Sequence, residues 1–180
     1  MHAEAPSFGS WNLHGSNYRE VKGHFYSKKF APGTPNPKVA RFTTGKYSTD
    51  YDFSIQLISK GRVQIRSNAL ESARVATNKK LALLGEENYL LRVITYPHLV
   101  LRENKMIATA GADRLQEGMR KAFGKPIGVA ARVNIGSVVL ELRVRAADLE
   151  KGKDAIHAAK AKLPMMTEMK IVELSKPTAA

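Results

Sequence analysis

From Asp52 onward, apolar and polar positions alternate in short runs interrupted by two longer stretches of helical spacing. Phe53, Ile55 and Leu57 form one face of a strand, and Gly61-Arg-Val-Gln-Ile65 continues the pattern after a turn. Asn68-Ala-Leu-Glu71 has capping-box spacing, and Leu70, Ala73, Ala76, Leu81 and Leu84 then recur near a 3.6-residue period up to Gly85. This spacing predicts a helix over 68–84, with Arg74, Asn78 and Lys79 off its apolar stripe. Tyr89, Leu91, Val93 and Thr95 alternate as far as Pro97, and 99–102 reads as a further strand. Val129, Ala131, Val133 and Ile135, then Val138, Leu140, Leu142 and Val144, are two alternating runs around Gly136-Ser137, the signature of a hairpin. Asp148 can cap a second helix over 149–162, with Ile156, Ala159 and Leu163 inward and Pro164 as its stop; 169–174 is a last strand.

Taken in order, these elements predict an α+β fold. It is a two-layer sandwich, a mainly antiparallel mixed sheet with two helices on one face. The other face carries Arg132, Asn134, Glu141, Arg143 and Arg145 and is wet. The pattern places a single domain at 53–174, an extended N-terminal arm at 1–52 and a frayed tail at 175–180. No internal repeat is visible.

Two stretches depart from this regularity. The arm mixes Pro6, Pro32, Pro35 and Pro37 with Phe8, Trp11, Tyr18, Phe25, Tyr26, Phe30 and Phe42 among Gly, Ser, Asn and Lys. Proline removes backbone donors and extends the chain, and the aromatics are too many for a solvated linker. Such an arm lies on something else. It either stacks its rings on bases, with Lys28, Lys29, Lys38 and Arg41 on phosphates, or wraps its own domain.

The second stretch is the long basic central loop, 103–128. Asp113-Arg-Leu-Gln116 again has capping-box spacing; Leu115, Met119, Ala122 and Phe123 follow at helical intervals, and Gly124 and Pro126 end the run. One short helix between glycine arms is expected, too short to be stable alone in water. It orders against a partner or caps its own domain.

Charge sharpens the picture. The chain of 180 residues has 29 Lys and Arg against 16 Asp and Glu, a net +13. The surplus gathers in the N-terminal third and the central loop, leaving the expected core nearly neutral. That distribution is the footprint of a polyanion partner, nucleic acid first and an anionic membrane a distant second. The absence of cysteine excludes disulfide frameworks and thiolate zinc sites. No apolar run reaches membrane-spanning length and Met1 to Trp11 lacks a signal-peptide pattern, so an intracellular protein is expected.

Candidate catalytic chemistry is missing. Gly118 and Gly124 have five residues between them rather than the four of a phosphate loop, and Pro126 stands where a hydroxyl is needed. His2, His14, His24, His98 and His157 are scattered, Asp50 and Asp52 suit a turn or cap, and Ser67 and Ser137 have no recognisable base. No cofactor and no metal site is expected.

Asn68-Ala-Leu-Glu-Ser-Ala-Arg74, Asn78-Lys79, Arg92-Val93, Pro97-His98, Leu101-Arg-Glu-Asn-Lys-Met106 and above all the run from Ala110 to Pro126 resemble the ribosomal protein family called L10e in archaea and eukaryotes and L16 in bacteria. The likeness spans 26–174 and is of the archaeal type. It implies a structural constituent of the large subunit, bound to rRNA between the peptidyl-transferase region and the central protuberance, near 5S rRNA. The loop 110–126 would point toward the tRNA sites and help position tRNA. The likeness fails at the start: the first basic residue here is Arg19, where family members begin with an Arg-rich stretch.

The residues expected to touch rRNA or tRNA are Lys28, Lys29, Lys38 and Arg41 in the arm and Arg62, Arg66, Arg74, Lys79 and His98 on the domain. Arg102, Lys105, Arg114, Gln116, Arg120, Lys121, Lys125 and Arg132 join them in and beside the loop. Neighbouring ribosomal proteins are expected as partners; a membrane or a second copy of the chain is not. The alternatives are a small RNA-modifying enzyme and a free-standing RNA-binding module.

Overall fold

The computed structural model describes residues 12–13, 19–20, 32–48, 50–105, 120 and 123–174. The helix expected from Asp113 to Phe123 therefore lies, but for Arg120 and Phe123, outside the described residues, as does most of the arm. The elements are β1 (Asn12–Leu13), β2 (Arg19–Glu20), β3 (Thr43–Gly45), β4 (Phe53–Ser59), β5 (Val63–Arg66), α1 (Ser67–Leu81) and β6 (Tyr89–Val93). They continue with β7 (Leu99–Glu103), β8 (Lys125–Val133), β9 (Val138–Val144), α2 (Leu149–Lys160) and β10 (Thr167–Glu173).

The α+β sandwich is present, but its strands divide between two five-stranded sheets instead of one. The first has the order β1-β5-β8-β7-β2 and the second β10-β4-β9-β6-β3. Pairing is antiparallel except between β1 and β5.

The division overturns the hairpin expected around Gly136. β8 pairs with β5 and β7, whereas β9 pairs with β4 and β6. The Gly136-Ser137 turn instead passes the chain from one sheet to the other, beside the β4–β5 link that makes the same crossing in reverse. The two crossings are joined: Gly136 N–H donates to the Ser59 carbonyl (2.8 Å) and Ser59 N–H to the Ser137 carbonyl (2.9 Å). Alternation predicts that both runs are strands, but it carries no information on which neighbours they take.

The second sheet gathers the core. Ile55 and Leu57 of β4, Tyr89, Leu91 and Val93 of β6, and Leu140, Leu142 and Val144 of β9 are buried on one face. Each such side chain contributes about 1.5–3 kcal/mol by leaving water. Helix α2 lies on β4 and β9 through Ala155, Ile156 and Ala159, and a Cβ on its Gly152 would come within 3.0 Å of Ile55 Cδ1. Helix α1 packs on α2 and inserts Leu70, Ala73 and Leu81 between this face and the inner residues Val63, Ile65, Ala131 and Val133 of the first sheet.

Parts of the stretch expected to be an arm pair with the sheets. Thr43–Gly45 pairs with β6, Val39 and Tyr51 are buried, and β1 and β2 add to opposite edges of the first sheet. Gly45 is required there: at φ +100° it lies so close to the Tyr89 carbonyl that a side chain would collide with backbone.

Candidate nucleic-acid interface

The β7–β8 ladder is the true hairpin of the molecule, and it is the root of the central loop. Leu99 to Glu103 pairs with Ala130 back to Lys125, with a register shift between Leu101 and Arg102. Glu103 and Lys125 form the ladder's outermost pair, with residues 104–124 between the two strands. Gly124 makes the closure possible. Its φ is +77°, and a Cβ there would fall 2.6 Å from the Glu103 carbonyl carbon. Arg102 braces the other side, with its guanidinium 4.5 Å from the centre of the Phe123 ring and an N–H donated to the Phe123 carbonyl. A cation over an aromatic face is attracted by the ring quadrupole. Lys105, Arg120 and Lys125 are exposed at this root, and Arg132 is half-buried further along β8, opposite Gln64.

A second cluster lies where the arm passes the start of α1. Pro35, Asn36, Lys38, Arg66, Ser67 and Asn68 line a groove of about 220 Å³ together with Gly128 and Val129. The expected capping box at Asn68 does not form. Arg66 is the N-cap, no side chain caps the helix, and its first turn holds no acid. The helix dipole favours anions at such an end, here with Lys38 and Arg66 beside it and one acid, Glu103, in the same groove.

Glu71 is used differently. Its carboxylate accepts from Arg74 Nε (2.9 Å) and Nη2 (2.6 Å) and from the Ala40 N–H (3.2 Å), tying the arm to α1. The Arg74 hydrogen bonds hold the Glu71 carboxyl below its ordinary range despite partial burial, and raise Arg74 in turn. Arg74 is thus committed within the protein. Lys79 is exposed at the far end of the same helix, Arg41 is exposed in the arm, and Arg62 is half-buried in the β4–β5 link. His98 is exposed, with Nδ1 3.1 Å from the Tyr96 carbonyl. Lys28, Lys29, Arg114, Gln116 and Lys121 lie outside the described residues.

The outer face of the second sheet adds two cations, Arg92 and Arg143, that are not among the residues expected to touch RNA. Glu141 accepts from Arg143 Nε (2.9 Å), Ser54 Oγ (3.1 Å) and, more distantly, Arg92 (3.5 Å). Its side chain is only 8% exposed, so two arginines share one buried acid and a net positive charge remains. Alternation in β9 marks Arg143 from the sequence, and the same signal in β6 marks Arg92.

Among the described residues no cluster of His, Asp and Glu is placed to hold a metal ion. Asp50 is taken up by Ser48 in a local turn, and Asp52 accepts from the Ala146 N–H ahead of α2. Among the same residues no helix is long and apolar enough to cross a membrane.

Fold and cations together define a class, a basic α+β scaffold with a charged hairpin root. The family described as Ribosomal protein L16p/L10e matches residues 21–170. A large ribosomal subunit protein uL16 of Staphylothermus marinus is 51% identical over 150 residues, covering 82% of this chain and 86% of that protein. The uL16 of Sulfolobus acidocaldarius is 48% identical over 170 residues (92% and 97%), and that of Hyperthermus butylicus 49% over 154 (85% and 86%). The chain belongs to the L16p/L10e family of ribosomal proteins. It is a structural component of the translation machinery in the cytoplasm, not an enzyme.

Proposed function

We propose that this protein is built into the large ribosomal subunit, where it binds rRNA near the peptidyl-transferase region and the central protuberance. The family match over 21–170 carries this reading; the net charge of +13 and the cationic hairpin root support it. The core supplies a rigid base. From it the central loop, with Arg114, Arg120, Lys121 and Lys125, reaches toward tRNA and helps to position it, while the arm places Lys28, Lys29, Lys38 and Arg41 on RNA. Phosphate contacts of this kind give affinity and salt dependence and little sequence information. The partners are large-subunit rRNA including the 5S neighbourhood, tRNA and adjoining ribosomal proteins, and the protein acts as one copy.

Sedimentation tests the reading. The protein should travel with large subunits at low salt and leave them only in high salt. Recovery as free protein from a low-salt extract with intact subunits would overturn the proposal, and would favour a free-standing RNA-binding module.

A further inference from the structure

Phe42 and Tyr96 meet at the edge of the second sheet with centroids 5.3 Å apart and planes tilted by 31°, within the range where aromatic pairs attract. Phe42 packs on the core, whereas Tyr96 is 55% exposed. One side of the phenol ring thus rests on Phe42 while much of the remainder faces solvent. The segment bearing it is held in place. Val93 N–H donates to the Phe42 carbonyl (2.7 Å) and Ile94 N–H to the Val139 carbonyl (3.0 Å). The Thr95 hydroxyl donates to the Val138 carbonyl (3.4 Å), and Pro97 is buried. A ring fixed in this way loses little freedom when a second ring stacks on it.

The surroundings indicate which kind of ring. Arg41 adjoins Phe42 in the chain and is exposed, and Arg92 lies opposite Thr43, next to Phe42, in the β3–β6 ladder. The one acid reaching Arg92, Glu141, is already shared with Arg143. A platform where cations outnumber acids, and where Glu71 and Glu141 are already bound to Arg74 and Arg143, fits a polyanion better than a protein surface of mixed charge.

We propose that Tyr96, backed by Phe42, is a stacking platform for one unpaired base of ribosomal RNA, with Arg41 and its neighbouring cations on the adjoining phosphates. The inference rests on the RNA-binding reading above and adds a site and a ligand chemistry to it.

The test is binding of the full-length protein to large-subunit rRNA across a salt series, for the wild type and for Tyr96→Phe, Tyr96→Leu and Tyr96→Ala. Tyr96→Phe keeps the ring and should bind as the wild type does. Tyr96→Leu and Tyr96→Ala should weaken binding about fivefold to a hundredfold at every salt concentration, with an unchanged salt slope, because a stacked base releases no counterions. Chemical probing should then reveal one base that is shielded in the wild-type and Tyr96→Phe complexes and reactive in the other two. Tyr96→Leu binding at the wild-type level would mean that apolar bulk suffices, as for a protein contact, and would overturn the platform. A level series or a changed slope would do the same. Should Tyr96→Ala lower the melting temperature, Tyr96→Leu, which can keep an apolar contact with Phe42, carries the comparison. Absence of salt-dependent binding by the wild type would defeat the RNA-binding reading itself, whereas a steep wild-type slope with a level Tyr96 series defeats only the stacking site.

Discussion

The two sheets solve opposite problems. The second buries one face beneath both helices and gathers Arg92 and Arg143 around the buried Glu141 on the other, so part of its charge is paired within the protein. The first ends in two-residue strands at both edges, and its longest ladder runs outward to a loop root carrying Lys105, Arg120 and Lys125. One sheet is built to persist and the other to reach. The contrast teaches that a basic protein need not spread its charge evenly, because a neutral core lets the cationic parts be shaped by their partner.

Substitutions can break this contrast in graded steps. Leu142→Ala, in the centre of the second sheet, should destabilise the whole fold by about 2–5 kcal/mol, since a cavity remains where the side chain was; chemical denaturation measures it. Gly124→Ala forces a Cβ into the Glu103 backbone at positive φ, with an expected cost of about 1–3 kcal/mol. Hydrogen exchange should place that loss in β7 and the start of β8, leaving β4, β6 and β9 protected. Faster exchange in the second sheet as well would show that the two sheets open together.

Glu71→Gln should cost about 1 kcal/mol at neutral pH, because it weakens the charge-assisted bonds from Arg74 and Ala40. The carboxyl is held below its unfolded value, so its stabilisation is complete above about pH 4.3 and fades as pH falls through the lower folded value. Denaturation curves of the two proteins should therefore differ at pH 7 and converge in acid. Replacing Arg114, Arg120 and Lys121 together by Ala should leave the melting temperature almost unchanged. It should impair subunit maturation or tRNA accommodation and lower the salt slope of RNA binding by about 0.9 for each phosphate no longer neutralised. Normal assembly and translation in that variant would remove the loop from function.

The sequence makes the α+β class and most elements legible, because burial on one face imposes its period on β4, β6, β9 and both helices. It does not reveal partners. Thr43-Thr-Gly45 has no apolar alternation of its own and is a strand because β6 has an edge to offer. Glu71 stands at capping-box spacing, but its choice of Arg74 and Ala40 depends on an arm 31 residues upstream. The candidate interface is legible where charge and glycine coincide, at Arg102, Gly124 and Lys125. It is hidden at Arg92, whose place opposite Glu141 depends on the pairing of β6 with β9.

The joined crossings at Ser59 and Gly136 have a mechanical consequence. β8 is a rod of nine residues, roughly 27 Å long at the usual rise per residue, with the loop root at one end and the Gly136 corner just beyond the other. A load applied at the loop root would pass along that strand to a corner fastened to β4, so both sheets would share it.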